Sequence, residues 1–166
     1  MRSQEYSWSP PPSSWLKFNV GAVVHYFNAF LAAVVRNDSG NVVEAGIALE
    51  NVTSLLVAEA LAFKYAVLLI KQYSVPKAII EGDALLVVNA LKERKTDASL
   101  EINGIVQEVF AVLDTCTDTI VHFSCVNKSC NSLAYDCIKW ASRNGFFRVL
   151  PTRWFTGASF IGPSCV

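Results

Sequence analysis

The chain has 166 residues, enough for one domain with a substantial core and short for two. Lys plus Arg and Asp plus Glu number 14 each, so the net charge is zero and no overall positive field marks a nucleic-acid binder; any such binding must be local. Charged residues make up 17% and hydrophobic residues 52%, against roughly 25% charged in ordinary soluble domains, so most of the chain is expected to be buried.

The segment Phe18 to Val35 is uncharged, but it carries Asn19, His25 and Asn28 and falls short of the roughly 20 apolar residues a membrane helix needs. It reads instead as two strands. Residues 1 to 14 hold Arg2, Glu5 and Pro10-Pro11-Pro12 with no apolar signal-peptide core, which points to an intracellular protein and makes the Asn37, Asn51 and Asn127 sequons chance matches. Cys116, Cys125, Cys130, Cys137 and Cys165 form no C-x-x-C pair, and His25 and His122 lie in different segments, so the thiols read as buried or semi-buried small hydrophobes rather than zinc ligands.

Residues 1 to 14 suit an extended Pro-rich leader, and the domain is expected to start near Trp15. Trp15 to Val20 alternates as a strand does, and Phe30 to Val35 is β-rich. The cluster Asn37-Asp38-Ser39-Gly40-Asn41 is a turn, and Val42 to Ala48 supplies a third strand. Ser54 is placed to cap a helix running to about Tyr73, closed by Pro76. Lys77 to Glu81 forms a short apolar strand, Gly82 breaks it, and Asp83 to Leu91 continues as a helix. Ile102, Ile105, Val106, Val109, Phe110 and Leu113 mark a helix from Ser99, with Lys92 to Asp97 as connector. Thr119 to Val126 is a fifth strand and Asn131 to Ser142 a last helix. Residues 145 to 166, with Trp154 and Phe155, show no period and read as a tail, either free or packed on the domain. A meander followed by alternating helices and strands implies an α/β fold with a mixed sheet covered by helices.

Two acids stand out physically. Glu59 is the lone charge between Leu55 and Phe63, and it lies about 140° around the helix from Lys64, towards the apolar side. Such a carboxylate needs a cation, metal or donor network, or else it snorkels at the edge of the core. Asp83 follows a strand and Gly82 at a sheet edge, a common ligand position, although Asp is also a favoured helix cap.

The blocks Trp15-Leu16-Lys17-Phe18-Asn19-Val20-Gly21-Ala22, Val34-Val35-Arg36-Asn37-Asp38-Ser39-Gly40, Ala58-Glu59-Ala60-Leu61-Ala62, Glu81-Gly82-Asp83 and the helix from Ser129 to Ala141 resemble, in order, the motifs of plant retroelement-derived ribonuclease-H-like domains. The resemblance implies a five-stranded mixed sheet, a three-stranded antiparallel meander plus two parallel strands, over residues 15 to 144. It also implies a carboxylate cluster that holds two magnesium ions and hydrolyses the RNA strand of an RNA–DNA hybrid, since hard cations prefer oxygen ligands and two of them can activate water and stabilise the leaving oxygen. Glu59 and Asp83 match two of the family's acids. The first-strand Asp falls at Gly21 and the final His or Asp at Tyr135; neither residue holds magnesium well. Asp136 is adjacent but rotated by about 100°. Lys128 and Asn131 match positions of nucleic-acid contact, Asn131 also being placed to cap the last helix. The expectation is a weak or inactive hybrid ribonuclease, with a non-catalytic nucleic-acid-binding or protein-interaction module as the alternative.

Overall fold

Strand alternation divides this chain between the two faces of one sheet. In β1 (Leu16–His25), Phe18, Val20 and Ala22 join one apolar core, while the intervening Lys17, Asn19 and Gly21 belong to the opposite face. The computed structural model describes residues 7–95, 97–157 and 159–163. β1 pairs antiparallel with β2 (Asn28–Arg36) from Lys17 opposite Arg36 to His25 opposite Asn28. The hairpin is longer than the two expected strands because its turn, Tyr26-Phe27, contains none of the usual turn residues; Tyr26 takes a left-handed φ of 56° instead.

The turn at residues 37–41 forms as expected, with Asn37 Oδ1 accepting from the Ser39 and Asn41 amides. β3 (Val42–Glu50) then pairs antiparallel with β2. α1 (Leu55–Gln72) is capped by Ser54, whose Oγ accepts from the Val57 amide, and it buries Ala58, Ala62, Phe63, Ala66, Val67 and Ile70. β4 (Lys77–Gly82) lies parallel to β1, and β5 (Ile120–Cys125) parallel to β4. The order β3-β2-β1-β4-β5 is the expected meander plus a parallel pair. α2 (Leu85–Lys92) and α3 (Asn103–Asp114) complete the α1 side, each burying Val and Ala or Phe residues in the larger core.

A short 3-10 turn (Lys128–Asn131) leads into α4 (Ser132–Asn144), which covers the other face. Leu133, Ala134, Cys137, Ile138 and Ala141 pack there with Ala32, Val34, Ala45 and Ile47. The segment read as a tail closes this second core. The Ile47 amide donates to the Arg148 carbonyl and the Leu150 amide to the Ala45 carbonyl, while Leu150 is buried. Trp154, Phe155 and Phe160, carried by a 3-10 turn and the short strands β6 (Phe155–Thr156) and β7 (Ser159–Phe160), gather around Trp140, with Trp154 centred 5.0 Å from it. Such contacts have no helical or strand period, which is why the sequence does not announce them.

The described part of the leader is packed as well, where the sequence reads as a free linker. Pro11 is buried, and the Trp8 ring lies 3.7 Å from the Arg36 guanidinium. Cys130 and Cys137 are buried, Cys116 is half-buried and Cys125 exposed; Cys165 lies outside the described residues. No helix among the described residues is long and apolar enough to cross a membrane.

Candidate active-site cluster

The parallel pairing of β1 with β4 sets Asn19 beside Glu81, and two residues further along Gly21 and Asp83 reach the same end of the sheet. Glu59, in the second turn of α1, and Tyr135, in the first turn of α4, close on them from opposite faces. Gly21, Glu59, Asp83 and Tyr135 line one small cavity with Val20, Ala62, Phe63 and Ala84. Its volume of about 10 Å³ is room for a single water.

Asp83 does not cap α2. The cap position belongs to Ala84, without a side-chain bond, and the Asp83 carboxylate turns towards α4. Its Oδ1 accepts from the Tyr135 hydroxyl at 2.8 Å and from Asn131 Nδ2 at 3.2 Å. Asn131 does not cap α4 with its side chain either. It is fully buried and also donates to the Val20 carbonyl at 2.6 Å, so its amide ties β1 to Asp83 instead of facing solvent. Lys128 is exposed, its Nζ 4.5 Å from the centre of the Tyr135 ring. Asp136 is exposed and is not among the residues that line this cavity.

Electrostatics follow from this crowding. Partial burial pushes the Glu59 carboxyl up from its ordinary range, the Asp83 charge adds to the effect and Lys128 opposes it. Burial, then the hydrogen bond to Asp83, pushes Tyr135 far up, so its hydroxyl is a neutral donor at any physiological pH.

Behind the cluster runs a buried polar chain that sequence reasoning did not single out. Arg36 Nη2 donates to Asn19 Oδ1 at 3.0 Å, and Asn19 Nδ2 donates to Glu81 Oε1 at 3.0 Å and to the Cys130 carbonyl at 3.4 Å. Lys17 Nζ lies 3.4 Å from Glu81 Oε2 and donates to the Ser9 carbonyl. Burial lowers the Arg36 guanidinium to about 10, with Glu81 opposing, so it remains a cation. The available signal was the polar alternation of Lys17, Asn19 and Glu81 on strands whose other face is apolar.

This donor set does not fit a pair of divalent cations. Gly21 offers no side-chain oxygen, and a Cβ built there would lie 3.3 Å from Tyr135 Cζ, so the phenol ring already fills the adjoining space. Asp83 is engaged by two neutral donors. Among the described residues, no group of three or more His, Cys, Asp or Glu side chains is arranged to hold a metal ion.

The profile of the family described as Reverse transcriptase-like matches residues 18–141. No curated protein matches the chain significantly by sequence. Among solved structures, the chain is similar to RNase H1 from the halophilic archaeon Halobacterium salinarum, with TM-score 0.68 and 16% identity over 80% of this chain and 99% of that one. It is similar to the N-terminal RNase H domain of a Mycobacterium tuberculosis protein, with TM-score 0.65 and 16% identity over 80% and 99%. A third, an RNase H1 isolated from compost and solved in complex with an RNA/DNA hybrid, gives TM-score 0.65 and 12% identity over 73% and 91%. Sheet order, helix placement and the extent of the family match agree, and the chain belongs to the Reverse transcriptase-like family as a ribonuclease-H-like domain.

Proposed function

We propose that this chain is an intracellular, monomeric nucleic-acid-binding module of the plant retroelement-derived ribonuclease-H type, in which hydrolysis of RNA–DNA hybrids is strongly reduced. The observation that carries this reading is the Tyr135–Asp83 hydrogen bond over Gly21. Glu59 and Asp83 are the two acids left to act on a hybrid, and the chemistry that magnesium would supply is to activate water and stabilise the leaving oxygen. Recognition of a duplex by shape and backbone needs no metal cluster. The RNA/DNA hybrid bound by the compost relative supports this substrate class. Lys128, exposed beside the Tyr135 ring, would meet a phosphate, with Asn131 holding the surrounding backbone.

The test is a titration of a fluorescently labelled RNA–DNA hybrid at several salt concentrations, alongside a cleavage assay in magnesium and in manganese with Glu59→Gln and Asp83→Asn variants. Salt-dependent binding without cleavage is the expected result, with Lys128→Ala weakening affinity about threefold to tenfold. Cleavage lost in both acid variants would overturn the proposed loss of hydrolysis, and absence of hybrid binding would overturn the nucleic-acid reading. A protein-interaction role has one observation in its favour: Tyr26 and Phe27, at the β1–β2 tip, are 82% and 75% exposed. Self-association without hybrid binding is the outcome that would favour it.

A further inference from the structure

Three observations meet on the α1 side of the sheet, where β1 begins and Val75 leads into β4. The first is a bulge. Val35 of β2 pairs with Glu44 and Arg36 with Val42, which leaves Val43 without a partner on β2, and a bulge of this kind re-aims the side chains beside it. Val43 and Glu44 both line a cavity of about 190 Å³, together with Phe18, Leu69 and Val75, room for a short organic group rather than a single water. The second is polarity: Glu44 and Tyr73 are the polar side chains in a wall otherwise built of Leu, Phe and Val. The third is charge. Glu44 Oε1 is shielded from solvent and accepts no hydrogen bond, and among the described residues no cationic side chain forms an ion pair with this carboxylate. Its field reaches the hydroxyls spaced along α1: burial, then the Glu44 charge, pushes Tyr65 up to about 12, and the Glu44 charge pushes Tyr73 up as well.

We propose that this cavity binds a free short-chain alkylamine, its hydrocarbon body against Phe18, Leu69 and Val75 and its ammonium on the Glu44 carboxylate. An ionised carboxylate only accepts hydrogen bonds, so it selects a donor head, and a cationic one above a neutral one. The apolar walls select the chain, as few polar groups in a mostly apolar pocket ordinarily do. Tyr73, 50% exposed at the cavity wall, adds a ring that a cation can approach. An anion of the same length would meet the Glu44 charge with nothing to offset it. The site shares no residue with the Glu59–Asp83 cluster or with Lys128 and Asn131, so it goes beyond the nucleic-acid reading and is tested without nucleic acid.

The experiment is an amide-resolved NMR titration of the full chain with three probes of equal length: n-butylammonium, n-butanol and n-butyrate. Butylammonium is expected to shift the amides of Leu16, Val43 and Val75 saturably and to bind roughly fivefold or more tightly than butanol, with butyrate silent. In Glu44→Gln, shown to be folded by its unchanged amide pattern elsewhere, butylammonium should fall to the affinity of butanol while butanol itself is unaffected. Capped lysine, which carries the same butylammonium group, tests the source of the amine: it should bind more weakly than the free amine, and equal or tighter binding would overturn a free amine as the occupant. Equal affinity of the native chain for butylammonium and butanol would overturn the proposal, as would shifts that spare the cavity residues or a preference for the cation that survives in Glu44→Gln. The comparison of the three probes on the native chain decides the matter even where the variant fails to fold.

Discussion

Glu59 and Asp83 face one cavity but are held differently. Asp83 accepts two hydrogen bonds from neutral donors, whereas Glu59 is partly desolvated near another carboxylate, which raises its pKa above that of the unfolded chain. A carboxyl whose folded pKa lies above its unfolded value lends stability that is fully present below the unfolded pKa and lost as pH rises through the folded one. Glu59→Gln removes the charge that burial penalises. It is therefore expected to raise Tm near neutral pH and to leave Tm unchanged in acid below the ordinary carboxylate range, as a series of melts across pH would show. An unchanged difference at all pH values would mean that the carboxylate is not penalised by burial. Glu59 was legible as a lone charge in an apolar run and Asp83 as an acid at a strand's end, and they meet where α1 passes the ends of β1 and β4. The partners of Asp83 were not legible, because Asn131 and Tyr135 act through a contact spanning 48 and 52 residues, and helix-start asparagines ordinarily cap.

At the scale of elements, the strands and helices follow their local signals, and the segments at either end of the fold do not. The Pro10-Pro11-Pro12 run has the composition of a linker, yet Trp8 covers the buried Arg36 and Ser9 accepts from the buried Lys17. Two cations and one carboxylate, Glu81, are enclosed together there, an arrangement that needs every available partner. Trp8→Ala is expected to lower stability by about 1–2 kcal/mol, the range of a partly desolvated cation–π contact, measured by urea unfolding. No change in the midpoint would show that the leader merely rests on the sheet. The β1–β2 turn is the other exception: an aromatic pair with Tyr26 at positive φ carries none of the chemistry that announces a hairpin, so β1 and β2 were read too short.

At the scale of the whole molecule, one sheet carries two unequal cores, and the smaller depends on chain that shows no periodicity. Residues after α4 contribute Leu150 to that core, surround Trp140 with aromatic rings and pair with part of β3. Ending the chain at residue 144 is expected to cost about 3–6 kcal/mol, from one fully buried and several partly buried large side chains. It should also shift Trp140 emission to longer wavelength as the ring meets water. A truncated protein that melts like the full chain would show that α4 alone suffices to cover the sheet.

What the sequence determined by itself was everything written in short-range pattern. Alternation located the strands, Ser54 and Pro76 delimited α1, Asn37 to Asn41 placed a turn, and the order of these elements specified a meander followed by a parallel pair, since parallel strands require crossovers. Its resemblance to ribonuclease-H-like domains also set Gly21 and Tyr135 against positions where that family carries acids. Only the tertiary structure decided that these two departures are a single steric unit, that Asp83 is satisfied by neutral donors, and that both end segments are packed. The physical reason is the same in each case: a ring filling the space beside a glycine, an amide reaching across two elements and a tryptophan covering a guanidinium are contacts between residues remote in sequence, and no local periodicity encodes them.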